Sequence, residues 1–251
     1  VTSLEGRVVL ITGAGGGIGS ATARTVVAQG GHALIHDLTG SALDALAKEL
    51  GDSATVLVAD LTDLAAVKKL WDEAWAVKGQ VDVVVNNAGA YPPAPLDAPL
   101  EEWLKVWDFS LDLHLKAPAV LCREAVAAYA GLERGGIIIN LASRAAFRGE
   151  DPEYWHYAAA KAGVVAMTRT IARQYGRHGV TAFAVAPGYV DTDLNEHFRD
   201  TVGVEVAAEQ TGLGEVAQPQ DVANIIAFLA TGLAKHATGT TIDVNGASYV
   251  R

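Results

Sequence analysis

Short apolar runs rich in β-branched residues recur along the chain, separated by longer segments with helical spacing. The runs cover 7–12, 33–37, 55–59, 81–86, 136–141, 180–186 and 240–244; helical periodicity fills 18–29, 41–50, 63–78, 100–130, 155–178 and 219–231. The runs are apolar at nearly every position, as strands covered on both faces of a parallel sheet must be. Strands alternating with helices, joined by right-handed crossovers, predict an α/β fold: a doubly wound parallel sheet with helices on both faces. No linker or low-complexity tract interrupts the alternation, so one domain spanning 1–251 is expected. The segment 190–216 mixes charges with glycines and reads either as a flap over a site or as a plain surface excursion.

In a sheet of this kind ligands bind beyond the carboxyl ends of the strands, and polar residues gather there. After the first run comes Thr12-Gly13-Ala14-Gly15-Gly16-Gly17-Ile18-Gly19, followed at once by a helical segment. Glycines between a buried strand and a helix N-terminus let bare backbone approach a pyrophosphate, whose charge the helix dipole favours. Asp37 closes the second run, 18 positions beyond Gly19 and just before Leu38, where a carboxylate accepts from the ribose of an adenosine. No arginine follows it, so a 2′-phosphate would meet its negative charge uncompensated, and NAD is expected over NADP. Asp60 ends the third run and Asn86-Asn87-Ala88-Gly89 the fourth, small or amide residues that permit close approach or serve as turns.

Ser143 follows the fifth run, and 14 residues later comes Tyr157-Ala158-Ala159-Ala160-Lys161. Residues four apart share a helix face, so phenol and ammonium can point into one pocket. An adjacent cation favours phenolate; lowering a tyrosine from about 10 to about 7 takes roughly 4 kcal/mol of differential stabilisation. Such a tyrosine serves as an acid and base for an alcohol or carbonyl near neutral pH.

Composition narrows the partners. The 251 residues are 50% hydrophobic, enough for one large core, and the net charge of −10 disfavours nucleic acid and anionic membranes. No segment approaches the length of a membrane span and the first residues carry no charged leader. A single cysteine, Cys122, excludes an internal disulfide and suits a reducing, cytoplasmic setting. The seven histidines show no metal spacing: His32 and His36 are four apart but lie in a strand-like run, so no metal is expected.

Taken together, the glycine string, Asn86-Asn87-Ala88-Gly89, Ser143, Tyr157 with Lys161, and Pro187-Gly188-Tyr189-Val190-Asp191-Thr192 resemble the short-chain dehydrogenase/reductase family, over essentially the whole chain. The resemblance implies a Rossmann-like seven-stranded parallel sheet, assembled as a homotetramer or homodimer. It implies that Ser143 holds the substrate oxygen, Tyr157 transfers its proton, and Lys161 binds the nicotinamide ribose and depresses the tyrosine. The cofactor-binding set it implies is Gly13, Gly15, Gly17, Ile18, Gly19, Asp37, Leu38, Asp60, Leu61, Asn87, Ala88, Gly89, Tyr157, Lys161, Pro187, Gly188, Val190 and Thr192. Of these, Val190 and Thr192 would meet the carboxamide. The expected activity is hydride transfer between NAD and a secondary alcohol/ketone pair. An NADP-linked 3-oxoacyl reductase and a non-catalytic NAD-binding regulator are the alternatives.

One departure stands out. Similar proteins carry an asparagine in the helix after the fourth strand, completing a proton relay to the lysine. Counting forward from Trp103 puts Ser110 there; counting back from Leu115-Lys116-Ala117 puts His114 there, four residues or about one turn later. His114 is favoured because imidazole both donates and accepts, as the amide does. The competing reading is a structural histidine with the relay running through solvent. Candidate substrate walls are Tyr91-Pro92-Pro93-Ala94, the stretches 144–148 and 150–156, and Tyr189 with 193–213. Arg148 is either an anchor for an anionic substrate or a solvated surface charge, and Trp155 either an apolar wall or an interface residue.

Overall fold

The computed structural model describes residues 3–132, 135–192 and 203–251. Seven parallel strands form one sheet: β1 (Val8–Thr12), β2 (His32–Asp37), β3 (Ala54–Val58), β4 (Val83–Asn86), β5 (Gly136–Leu141), β6 (Val180–Pro187) and β7 (Thr241–Val244). Their order is β3-β2-β1-β4-β5-β6-β7. The winding reverses between β1 and β4, which opens a crevice at the carboxyl ends of those two strands. The helices are α1 (Gly17–Ala28), α2 (Asp44–Leu50), α3 (Leu64–Lys78), α4 (Leu100–Leu111), α5 (Ala117–Tyr129), α6 (Ala145–Arg148), α7 (Trp155–Tyr175), α8 (Val204–Glu209) and α9 (Pro219–Ala230).

The central strands β1, β4, β5 and β6 are buried at every position because both of their faces are covered, whereas the edge strands β3 and β7 are only partly covered. Along β1, Val9 and Ile11 face a core completed by Ala23 and Val26 of α1 and by Val222, Ile226 and Leu229 of α9. Val8 and Leu10 face the opposite core with Leu70 and Trp71 of α3, Leu121, Cys122 and Ala125 of α5, and Ile171 of α7. This alternation is the two-residue period of a strand sandwiched between helix layers. Helix ends are fixed by local chemistry. Asp63 caps α3 by accepting from Ala65 and Ala66, while Gln218 and Asp221 close a reciprocal capping box around Pro219 at the start of α9.

Boundaries differ from the sequence expectation in a few informative places. The run 81–86 is a strand only from Val83, and just before it the Asp82 carboxylate accepts from the Val8 amide at 2.8 Å, closing the start of β1. The segment 41–50 begins as a 3-10 turn, Gly40–Ala42, before α2. The segment 100–130 is two α-helices joined by a π-helical turn, Asp112–Lys116. Such a turn widens the helix by one residue and is common at functional sites. Of the segment 190–216, residues 193–202 lie outside the described residues. Val190 forms an isolated parallel bridge with Ala217, and α8 occupies part of the remainder.

Deep between β4, β5 and α7, Asn86 donates to Asn140 at 2.7 Å and Asn140 donates to the Thr168 hydroxyl at 2.9 Å. Cys122 lies against this pair, 2% exposed, with burial pushing its thiol up to about 12. Among the described residues no helix is long and apolar enough to cross a membrane, and no group of three or more His, Cys, Asp or Glu is placed to hold a metal ion.

Candidate active site

At the switch point the glycine string makes a turn that side chains would block. Gly13 has φ +66°, and a Cβ there would lie 2.7 Å from the Ala88 Cα. A Cβ on Gly15 would come within 2.9 Å of the Asp37 carboxylate, and one on Gly19 would run into the Gly13 carbonyl. Bare backbone is therefore packed against the start of α1, whose N-cap, Gly16, makes no side-chain cap bond. The arrangement leaves uncapped N–H groups and the positive end of the dipole for an anion.

Beside the turn runs a cleft of about 470 Å³. Gly13, Gly15, Gly17, Ile18, Gly19, Asp37, Leu38, Asp60, Leu61, Asn87, Ala88, Gly89 and Thr192 of the expected cofactor set line it; Tyr157, Lys161, Pro187, Gly188 and Val190 do not. Gly188 instead packs against Asn245, which a Cβ would approach to 2.8 Å, and Val190 is buried in its bridge with Ala217. The lining also includes residues outside that set: Gly16, His36, Ala42, Ala59, Thr62, Ala90, Phe109 and Leu113. The spacing of Phe109 and Leu113, four apart, was the available signal for a shared face.

The Asp37 carboxylate accepts from the Gly15 amide at 2.9 Å and from the Leu38 amide at 2.8 Å. One lone pair on each oxygen remains for a diol. No lysine or arginine lines the cleft among the described residues, and Asp60 adds a second carboxylate. Asp60 is held below the usual carboxylate range by the side-chain and backbone donors of Thr62, both spent on Oδ1. Asn87 ties the turn together: its amide nitrogen donates to the carbonyls of Thr12 and Gly13, and its backbone N–H donates to the Thr12 hydroxyl. The cleft thus fits a dinucleotide, for which the α1 terminus would suit the pyrophosphate and Asp37 a ribose diol.

The candidate acid–base residues lie near the Gly89–Ala90 turn, to which His114 links Tyr157. Ser143 leaves the end of β5, its hydroxyl accepting from the Ala145 amide at 3.1 Å. Tyr157 and Lys161 stand one turn apart on α7, with the Lys161 ammonium 5.5 Å from the Tyr157 ring centre and donating to the Leu141 carbonyl at 2.8 Å. Burial pushes Tyr157 up to about 12, the hydrogen bond with Ser143 pulls it down, and Glu150 raises it. Burial lowers Lys161 to about 8. Desolvation is the largest of the influences on both groups.

Aromatic rings wall this end. Tyr91 stacks on Tyr154 with centroids 3.8 Å apart and meets Tyr157 edge-on at 4.9 Å. The loop after Tyr91 is fastened to the 150–156 stretch by the Ala94 amide donating to the Glu153 carbonyl. Arg148 leans on Glu150 at 3.5 Å, and Arg144 donates to Ser248 at 2.8 Å. Trp155 is 50% exposed, so it forms no buried wall. Both relay candidates are buried and face each other, Ser110 Oγ lying 3.1 Å from His114 Nδ1.

Residues 13–247 match the family model described as Enoyl-(Acyl carrier protein) reductase. A 3-oxoacyl-[acyl-carrier-protein] reductase of Thermotoga maritima is 34% identical over 97% of this chain and 98% of its own. A 3beta-hydroxysteroid dehydrogenase of Eggerthella lenta is 35% identical over 97% and 94%. Among solved structures, a candidate NAD(P)-dependent gluconate 5-dehydrogenase from Beutenbergia cavernae, carrying NADP at low occupancy, superposes with a TM-score of 0.90, at 34% identity over 98% and 97% of the two chains. A family model over most of the chain, relatives at 34–35% identity and the shared fold show that the chain belongs to the short-chain dehydrogenase/reductase family of oxidoreductases, acting on CH–OH and C=O groups.

Proposed function

We propose that the protein interconverts a secondary alcohol and its ketone with NAD. The observation that carries the reading is the placement of Tyr157, hydrogen-bonded to Ser143 and one turn from Lys161, and linked through His114 to the Gly89–Ala90 turn that lines the cleft. Bound NAD supplies the hydride acceptor for oxidation, and its reduced form the donor for the reverse. The chain's own groups handle the oxygen. The Ser143 hydroxyl holds it by hydrogen bonding, and Tyr157 takes the hydroxyl proton during oxidation or returns one to the ketone oxygen during reduction. Lys161 stabilises the phenolate when it forms and donates to the cofactor ribose, and the positive charge of oxidised NAD adds to the same field. Together these two cations would offset the desolvation that holds Tyr157 high.

Asp37 supports NAD over NADP, since a 2′-phosphate would lie beside a carboxylate with no lining cation to balance it. The relatives named as acyl-carrier-protein reductases, and the neighbour carrying NADP, favour an NADP-linked acyl reductase as the second reading. Exposed Leu100, Leu104 and Trp155 on α4 and α7 support assembly as a dimer or tetramer. A buried lone thiol agrees with a cytoplasmic setting.

Absorbance at the NADH band, with secondary alcohols and ketones offered alongside NAD and NADP, tests the activity. Fluorescence titration of both reduced cofactors tests the choice between them. Tighter NADPH than NADH binding by the parent overturns the NAD assignment. In Asp37→Ala the preference narrows, chiefly through weaker NADH binding. Part of that loss reflects the Gly15 amide, which loses its acceptor.

A further inference from the structure

The π-helical turn Asp112–Lys116 swings His114 inward, where it is 1% exposed. Both ring nitrogens are engaged. The Ala90 amide donates to Nε2 at 3.2 Å, and Nδ1 faces the Ser110 hydroxyl at 3.1 Å. A nitrogen that accepts from a backbone N–H carries no proton, so the ring proton belongs to Nδ1. Gly89 leaves room for the ring: a Cβ there would meet Nε2 at 3.4 Å. On its other side the imidazole meets the Tyr157 ring edge-on, centroids 5.2 Å apart at 87°. One side chain therefore touches the cleft-lining Gly89–Ala90 turn, the α4 helix and the proposed acid–base residue.

We infer that His114 is a positioning residue: a permanently neutral imidazole, protonated on Nδ1, that fixes the Gly89–Ala90 turn and braces Tyr157 while moving no proton in turnover. This rests on the proposed NAD-linked reading. A relay would need one ring nitrogen free to exchange protons with Lys161 or water, and here each has a protein partner. Neutrality follows from the surroundings. Burial lowers His114 well below its ordinary value, and the titratable groups facing it, Lys161, His156 and Tyr157 on α7, include no carboxylate.

Two substitutions separate the contacts. In reach, a glutamine amide stands in for Nε2 and an asparagine amide for Nδ1. His114→Gln keeps an acceptor for Ala90 and cannot titrate; His114→Asn keeps the Ser110 contact and strands the Ala90 amide. NADH affinity and kcat in His114→Gln should stay within a few-fold of the parent, with an unchanged kcat–pH profile. His114→Asn should weaken NADH binding up to about tenfold, because the half-buried Ala90 amide loses its acceptor and the cleft-lining turn its anchor. A hundredfold loss of kcat in His114→Gln with NADH binding intact would show that the imidazole carries protons and overturn the inference. So would parental NADH affinity in His114→Asn.

Long-range 1H–15N spectra of the parent's imidazoles give a readout independent of both activity and variant folding. One histidine should stay in the Nδ1-protonated neutral form from pH 5 to 8. An Nε2-protonated His114, or one titrating near the ordinary value, overturns the assignment. A parent that binds neither NADH nor NADPH would defeat the proposed function while leaving the spectral result to stand or fall alone.

Discussion

At the scale of single residues, burial sets the chemistry before any partner arrives. Tyr157→Phe removes the phenolic proton while keeping the ring that packs between Tyr91 and His114. Turnover should fall by about 10²–10⁴-fold with NADH affinity nearly unchanged. Turnover within a few-fold of the parent would remove Tyr157 from the chemistry. Lys161 has a signature in stability. Its ammonium drops from 10.5 to about 8 on folding, so between those values the unfolded chain holds a proton the folded one has shed. Stability should therefore rise with pH across that window, by roughly 1–2 kcal/mol between pH 8 and 9.5. Tyr157 acts with the opposite sign and only above its unfolded value of 10.0, where the folded state keeps the proton. Denaturation of the parent and of Lys161→Met across pH 8–9.5 isolates the effect: the variant should lack this rise. Parallel pH curves would show that the ammonium is not desolvated.

At the scale of elements, the glycine turn makes a graded prediction. A methyl on Gly19 meets backbone, the Gly13 carbonyl, and can be relieved only by moving α1 from the turn. A methyl on Gly17 meets the Thr192 side chain at 2.6 Å, which can rotate. Gly19→Ala should lower the melting temperature and abolish NADH binding, whereas Gly17→Ala should weaken binding with a smaller thermal shift. Equal effects would mean that the turn yields more readily than its packing indicates. The same element explains what the sequence hid. Hydrophobic periodicity located every strand to within one or two residues, because central strands walled on both faces must be apolar and the edge strands keep β-branched residues. It read 100–130 as one helix, because a single extra residue in a π-turn rotates the pattern too little to break it. Short α6 and α8 escaped for a related reason: four and six residues offer too few turns for a period to show. Within the site, the glycine string, Asp37 and the Tyr157–Lys161 pair declared themselves by spacing. Pro187, Gly188 and Val190 belonged to a motif whose backbone, rather than lining the cleft, ties β6 to Val244 and Ala217. Hydrogen bonds of that sort leave no periodic trace.

At the scale of the whole molecule, the sheet is a bolt of non-local contacts: β1 pairs with β2 and β4, and β6 with a strand more than fifty residues further on. The two helix layers close over it, and the lone thiol sits under one of them. Cys122 is 2% exposed and its proton is held up to about 12, so a thiol reagent meets neither an accessible sulfur nor a thiolate in the native state. The chain therefore carries its own unfolding clock. Labelling with a chromogenic disulfide should proceed at the rate at which α5 lifts from β4 and β5, far slower than for the same protein in denaturant. A ligand that binds the folded state shifts that opening by mass action, so saturating NADH should lengthen the labelling time even though the crevice it fills never touches the sulfur. Fast labelling, indifferent to NADH, would mean that this layer opens independently of the cofactor crevice. A single unreactive atom thus turns cofactor choice into a quantity read with no substrate at all: whichever dinucleotide slows the clock more is the one the fold was built around.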